Sequence, residues 1–151
     1  MHIIEDTGQK KGQHDTKNDW WKAENIEVNR CKLPYGDYAL PPKIAVDTKR
    51  DIDEVAGNIG NDNTRFKNEC IYAKECGAQL YILVENTDGI TCVDDVEKWK
   101  NPRRFVSPKC IDGIRLAKSM RTMTARYGVE FRFCTPEESA WEVLQLLTGG
   151  E

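Results

Sequence analysis

The chain has 151 residues, of which 39% are hydrophobic and 31% are charged, and its formal net charge is −3. This length predicts one domain over residues 1–151, and the apolar content is enough for one core and too high for a disordered chain. No apolar run approaches the roughly 20 residues of a membrane-spanning helix, and the N-terminus lacks the basic and apolar regions of a secretory signal. We therefore expect a cytoplasmic globular protein without a membrane partner.

The number and spacing of the cysteines and histidines argue against a zinc site. Six cysteines are spread over positions 31 to 134 without a C-x-x-C spacing, and His2 and His14 are the only histidines. Free thiols in a reducing compartment are the favoured interpretation. Cys70 and Cys76 are expected to be small buried residues.

Positive charge is concentrated in one segment, residues 98–132, which we call the basic segment. It has ten Lys and Arg residues against two acids, a net charge of +8, whereas the remaining residues have 12 basic and 23 acidic side chains, a net charge of −11. Such an asymmetry favours a surface that faces a polyanion. From charge alone, a solvated helix face is an equally good interpretation.

The first half of the chain alternates apolar segments with turn sequences. In order, these predict a strand ending at Asp6, a polar loop over about 8–18, a short helix through Trp20 and Trp21, a strand over 26–33, turns at 34–37 and 41–42, and a strand over 43–49. Burial of at least one of the two tryptophans is expected.

The second half reads as further helices and strands. In order, the sequence predicts a helix from Asp51, a helix from Asn63 or Thr64, a buried strand over 80–84, a helix from Ser107-Pro108 to Gly128, a strand over 129–134, and a helix opened by residues 135–138 that runs through Trp141, Leu144 and Leu147. Strands that alternate with helices predict an α/β fold with a mixed central β-sheet flanked by helices.

Two carboxylates and a lysine form the candidate chemical cluster. Asp37 lies near the end of one predicted strand and Asp47 within its hairpin partner, so both side chains can reach the same end of the sheet. Paired carboxylates suit Mg²⁺ or Mn²⁺. Lys49 follows Asp47 by two residues and shares its face, where an ammonium group can stabilise charge on a phosphate. Asp6 is a candidate third acid, although exposed strand charges would also explain this pattern.

These residues resemble a known family. The segments LPYGDYAL (33–40) and IAVDTKRDID (44–53) are similar to the nuclease domain of the XPF-type structure-specific endonucleases, which belong to the PD-(D/E)xK superfamily with its restriction-endonuclease-like core. That family has Gly-Asp, a gap, Glu-Arg-Lys, three residues and Asp. This chain has Gly36-Asp37, then Asp47-Thr48-Lys49 and Asp53. The resemblance extends over roughly the whole chain and is to compact phage or bacterial members without a helix-hairpin-helix domain.

The resemblance implies a Mg²⁺- or Mn²⁺-dependent DNA endonuclease acting at branched or single-strand/duplex junctions. Asp37 and Asp47 would ligate the metal together with the main-chain carbonyl of Thr48. Lys49 would assist the attacking water, with Asp6 as a nearby carboxylate. Asp53 is expected to cap the following helix.

The resemblance and the charge pattern also imply partners. Six residues are expected to contact DNA: Arg65, Arg103, Arg104, Arg115, Lys118 and Arg121. Arg65 is equally well explained as a solvated helix residue. A homodimer or a protein partner is expected. Thr48 and Gly8 stand where the family has arginine, and they leave open an alternative, a non-catalytic DNA-binding or scaffold subunit with a decayed nuclease fold.

Overall fold

Six strands form one mixed sheet in the computed structural model, which describes residues 1–40, 43–60 and 63–149. The strands are β1 (His2–Asp6), β2 (Glu27–Cys31), β3 (Tyr38–Leu40), β4 (Ile44–Lys49), β5 (Gln79–Glu85) and β6 (Glu130–Cys134). They lie in the order β2-β1-β3-β4-β5-β6. The β1–β3 and β3–β4 pairs are antiparallel, and the other three pairs are parallel. The predicted α/β fold with a mixed central sheet is confirmed.

Helices cover both faces of the sheet. They are α1 (Asp15–Ala23), α2 (Ile52–Gly60), α3 (Asn63–Glu75), α4 (Val93–Val96), α5 (Gly113–Tyr127) and α6 (Ser139–Thr148), with a 3₁₀ turn at Pro102–Phe105. One core lies between the sheet and α2, α3 and α5. A second core lies on the other face, under α1 and α6. No helix among the described residues is long and apolar enough to cross a membrane.

The second core is built around Trp21, which is fully buried as expected for one of the two tryptophans. Its ring packs edge-on against Tyr38, with 5.0 Å between the centroids. The indole Nε1 donates a hydrogen bond to the Ala140 carbonyl at 3.1 Å, which joins α1 to α6. The burial of a large aromatic ring thus fixes two distant helices on one face of the sheet.

Two predicted boundaries differ from the structure. The polar loop over 8–18 ends early, because α1 begins at Asp15 and buries Lys17 and Trp21 on one side. The buried lysine hid the amphipathic pattern. The helix predicted from Ser107 begins instead at Gly113, where Asp112 Oδ1 accepts a hydrogen bond from the Arg115 amide at 2.8 Å.

Other differences are local. The short strand β3 was not predicted, and the predicted turn at 41–42 lies outside the described residues. Cys76 is exposed, unlike the buried Cys70, because it follows the last turn of α3. Trp141 is also exposed, since α6 packs through Ala140, Val143 and Leu147 instead.

Candidate active site

The predicted hairpin between the strands over 26–33 and 43–49 is wrong, because β2 pairs with β1 and β4 pairs with β3. The β3–β4 hairpin brings the two predicted acids together instead. Asp37 directly precedes β3, and its amide donates to the Val46 carbonyl at 2.8 Å, so Asp37 lies beside Asp47. Gly36 makes this approach possible: its φ is +72°, and an added Cβ would lie 3.0 Å from Ala45 Cβ. A side chain at position 36 would therefore be strained and crowded.

Hydrogen bonds fix the Asp37 carboxylate. Its Oδ2 accepts from the Thr48 amide at 2.7 Å and from the Thr48 hydroxyl at 2.9 Å. Thr48, which stands where the resembled family has arginine, therefore orients one of the two acids. This role was not foreseen from the sequence.

Asp47 and Lys49 project from β4 toward α3. Asp47 is only 5% exposed, and Lys49 is also buried. Lys49 Nζ lies 2.9 Å from Asp47 Oδ2 and 4.7 Å from the centre of the Phe66 ring. The Asp47 contact is an ion pair without the angles of a hydrogen bond, so this buried oxygen accepts none from the described residues.

Burial and proximity keep a proton on the acidic pair. Burial, and then the charge of Asp37, raise the pKa of Asp47 to about 8. Burial also raises the pKa of Asp37, although the hydrogen bonds from Thr48 oppose the shift. Burial disfavours the charged form of Lys49, but the contact with Asp47 and the charges of Glu69 and Asp37 together outweigh burial and raise the lysine pKa. At neutral pH the site thus holds an ammonium group beside two carboxyl groups that do not both ionise readily.

A third acid, Glu69, adjoins this pair, and the sequence analysis gave it no role. Its Oε1 accepts from the Gly36 amide at 2.7 Å. Burial, and then the charge of Asp47, raise its pKa to about 7. One signal was present in the sequence: Glu69 follows the apolar Phe66 by three residues, so both lie on the same face of a helix.

These side chains line a cleft of about 910 Å³ that lies at the carboxyl ends of β1, β4 and β5. Its basic lining residues are Lys17, Lys32, Lys49, Arg50 and Arg65. On the α1 side, Lys17 Nζ lies 2.9 Å from Glu85 Oε2, a buried ion pair at the end of β5. The cleft thus combines an acidic floor with cations on its walls.

Asp6 also lines the cleft, where it ties β1 to the segment after β2. Its carboxylate accepts from the Leu33 amide at 2.8 Å and from the Gly8 amide at 3.1 Å. A Cβ added to Gly8 would lie 2.6 Å from Asp6 Oδ2. Any larger residue at position 8, including the arginine of the resembled family, would require this carboxylate to move. A catalytic role for Asp6 remains a prediction.

Of the six residues predicted to contact DNA, the structure places Arg65 in the cleft and the other five elsewhere. Four of those five contact other groups of the protein. Arg103 pairs with Asp53, Arg104 donates to the Cys110 carbonyl, Arg115 lies beside Asp112, and Arg121 pairs with Asp94 and Glu97. Among the described residues, no acidic side chain pairs with Lys118. Contact between these six residues and DNA remains a prediction.

The expected role of Asp53 as a helix cap is wrong. Asp51 Oδ1 accepts the hydrogen bond from the Glu54 amide at 2.8 Å, so Asp51 caps the start of α2. Asp53 instead accepts two hydrogen bonds from the Arg103 guanidinium, at 2.9 and 3.0 Å. Asp53 lies two residues after this cap, in the first turn of α2, where an acid can stabilise the helix without capping it.

The acids in the cleft fit a divalent cation only as a pair. In the described part of the chain, no group of three or more His, Cys, Asp or Glu side chains could hold a metal ion. The pair nevertheless offers a buried oxygen, Asp47 Oδ2, which lies 2.9 Å from Lys49 Nζ and accepts no hydrogen bond from the described residues. Mg²⁺ is commonly bound by one or two carboxylates, with water and substrate phosphates completing its coordination. The donor set of Asp37 and Asp47 fits that mode.

The mixed sheet flanked by helices, with Asp37 directly before an internal hairpin and Asp47 and Lys49 within it, agrees with the restriction-endonuclease-like fold that the sequence predicts. Among solved structures, the chain is similar to XPF from Aeropyrum pernix, with a TM-score of 0.70 and 18% identity. It is also similar to the structure of that XPF in complex with DNA, with a TM-score of 0.69 and 18% identity. Both comparisons cover 97% of this chain and 63% of the XPF chain, so this chain spans less than two thirds of XPF.

The fold of an XPF-type nuclease domain, expected from the sequence, is thus confirmed. No protein-family model matches the sequence, and no curated protein matches it either.

Proposed function

We propose that the chain is a divalent-metal-dependent DNA endonuclease that hydrolyses phosphodiester bonds at branched or single-strand/duplex junctions. One observation carries the proposal: the half-buried Asp37 lies beside the buried Asp47, with Lys49 next to them, at the floor of a cleft with basic walls. The likeness to XPF, including a structure of XPF with DNA, supports the same function.

The chain's own residues would divide the work as follows. Asp37 and Asp47 would hold Mg²⁺ or Mn²⁺ together with the Thr48 carbonyl, and the bound cation would activate water and stabilise charge on the phosphate. Thr48 keeps Asp37 in place through its amide and hydroxyl. Lys49 would assist the attacking water and stabilise the negative charge that develops on the phosphate oxygens.

Lysine and arginine side chains around the acidic pair would bind the phosphates of the DNA backbone. Arg65, Lys32 and Arg50 line the cleft, where they offset the repulsion between the acids and a phosphate. The basic segment would extend this contact beyond the cleft, through Arg103, Arg104, Arg115, Lys118 and Arg121. Such contacts bind phosphates without reading sequence.

The alternative function is a non-catalytic DNA-binding or scaffold subunit with a decayed nuclease fold. Thr48 and Gly8 favour it, because both replace arginines of the resembled family. The intact acidic pair and Lys49 favour catalysis instead, since a subunit without activity has no need of a pair of acids with raised pKa values.

Cleavage of labelled flap and splayed-arm DNA tests the proposal. We expect products with Mg²⁺ or Mn²⁺ and none with EDTA, and the Asp47→Asn variant should give none under any of these conditions. A protein that binds both DNAs but cleaves neither with either metal would support the scaffold alternative.

Homodimerisation is a further part of the proposal, taken from the family resemblance. Sedimentation at micromolar concentration should show a species of twice the monomer mass. A monomer alone, with or without DNA, would leave a different protein as the only candidate partner.

A further inference from the structure

Phe105 and Val106 are the most exposed large apolar side chains in the described part of the chain. They are 94% and 90% exposed and lie side by side at the end of the Pro102–Phe105 turn. Burial of such side chains normally stabilises a folded protein. Phe105 and Val106 add little to this stabilisation, because neither side chain packs in the protein's core.

The turn beneath this pair is held firmly. The buried side chain of Asn101 accepts from the Arg103 amide at 3.0 Å and donates to the Ile111 carbonyl at 2.9 Å. Arg103 also makes two hydrogen bonds to Asp53, and Arg104 donates to the Cys110 carbonyl at 2.9 Å. An apolar tip on an anchored turn loses little freedom when it binds, which favours binding.

The surroundings of the tip are strongly basic. Residues 98–110 have five Lys and Arg side chains and no acid. Asp53 and Asp112 offset Arg103 and Arg104. Lys98, Lys100 and Lys109 remain exposed, and no acidic side chain of the described residues pairs with them. An exposed aromatic ring in a segment with three unpaired lysines is complementary to a ligand with both π faces and negative charge, as single-stranded nucleic acid has.

A hydrogen-bonded ion pair links the turn that carries the tip to the helix next to the candidate active site. Arg103 binds Asp53 in the first turn of α2, and α2 follows directly after the strand that carries Asp47. Because an extended chain covers about 3.3–3.6 Å per residue, Asp47 and Asp53 are at most about 20 Å apart. The Arg103–Asp53 pair thus joins the turn that carries the tip to the helix that follows the Asp47 strand.

We infer that Phe105, flanked by Val106, is a stacking surface for unpaired bases of the DNA substrate. The inference rests on the proposed nuclease function and adds to it the part of the substrate that is recognised, its unpaired arm. Bases in a duplex are already stacked on one another, so they would not gain from this ring.

Phe105→Ala is the test, and Trp141→Ala is its matched control, an exposed aromatic residue outside the basic segment. Binding to a single strand, a splayed arm and a blunt duplex is measured with Ca²⁺ in place of Mg²⁺. Phe105→Ala should weaken binding of the first two by about 5- to 100-fold, since base stacking is worth about 1–3 kcal/mol. Duplex binding should change less than about twofold, and Trp141→Ala should change none of the three.

A fluorescent base analogue in the unpaired arm gives a second readout. Its emission should be quenched by the wild type and by Phe105→Trp, but not by Phe105→Ala. Equal affinities of Phe105→Ala and wild type for all three DNAs would overturn this inference alone. A change in sedimentation of Phe105→Ala without loss of DNA affinity would overturn it in favour of a contact between copies. Wild type that binds none of the DNAs would overturn the proposed function as well.

Discussion

At the scale of single residues, Asp47 and Glu69 make the free energy of unfolding of the metal-free protein fall as the pH rises. In the unfolded chain, Asp47 and Glu69 have ordinary pKa values of 3.8 and 4.5 and ionise by about pH 5. In the folded protein they keep their protons up to about pH 8 and 7. Between these limits the folded state binds more protons than the unfolded state. Their contribution is therefore most favourable at or below about pH 4 and is lost as the pH rises to 8.

We predict that the metal-free protein becomes less stable from pH 5 to pH 8, by up to about 1.4 kcal/mol per pH unit for each group. Asp47→Asn, which cannot ionise, should flatten this decline. The measurement is urea unfolding in EDTA at each pH, with the exposed Asp88→Asn as the control that keeps the wild-type slope. An equal slope in all three proteins would mean that Asp47 ionises normally.

Loss of either acid of the pair should remove cleavage. Asp37→Ala and Asp47→Ala are each expected to lower the rate at saturating Mg²⁺ by at least about 100-fold, because a metal ligand is lost. The fold and DNA binding should persist, since removal of one acid relieves the repulsion between the two. Rates on labelled splayed-arm DNA and binding with Ca²⁺ separate the two effects. Near-wild-type cleavage by either variant, with Asp88→Ala as the control, would show that the site assignment is wrong.

Lys49→Ala should have a different signature. Its ammonium group is proposed to act on charge in the transition state, so the maximal rate should fall while the Mg²⁺ concentration for half-maximal rate stays similar. A Mg²⁺ titration of the cleavage rate checks this. A large shift in the Mg²⁺ requirement with an unchanged maximal rate would place Lys49 in metal binding instead.

At the scale of elements, Asp112 caps the start of α5 in place of the predicted cap, Ser107. Asp112→Ala removes the acceptor of the Arg115 amide and should destabilise the protein by about 1 kcal/mol. Ser107→Ala should change the free energy of unfolding by less than about 0.5 kcal/mol, because Ser107 lies outside the helix. Urea unfolding at pH 7 compares the two variants. Equal effects would show that the segment 107–112 is helical in solution.

The basic segment should differ from residue to residue in its contact with DNA. Lys118 is exposed without an acidic partner among the described residues, so Lys118→Ala should lower the log–log salt slope of binding by roughly 0.7–0.9. Arg121 is already paired with Asp94 and Glu97, so Arg121→Ala should change the slope less. Affinity for branched DNA at several salt concentrations, with Ca²⁺, gives both slopes. An unchanged slope in both variants would indicate a solvated face.

At the scale of the whole molecule, local pattern was sufficient to predict most elements. The strands around Asp6, Asp47 and residues 80–84 were predicted, because alternating or continuous apolar runs reflect their burial directly. The three-residue β3 was missed, since it is too short for a period to be seen. The start of α1 was missed because its buried face includes the charged Lys17.

The candidate site was predictable only in part, for a related reason. Asp47 and Lys49 lie on the predicted strand β4, and Asp37 directly precedes β3, so all three are close because β3 and β4 form a hairpin. A hairpin was predicted, but with the strand over 26–33 in place of the short β3. Glu69 and the Lys17–Glu85 pair come from helices and strands far along the chain. Their positions depend on tertiary packing, which no local period records.

The closure of the second core by α6 has a consequence for synthesis of the chain. The residues of this core come from the N-terminal strand, α1 and the middle strands, and they are covered by Ala140, Val143 and Leu147 of the last helix. Until residues 140–147 have left the ribosome, one side of the sheet stays open to water. Trp21 also waits for its partner, the Ala140 carbonyl. The second core therefore closes only after α6 has been synthesised, and a ribosome stalled before residue 140 would expose an apolar surface to which chaperones can bind.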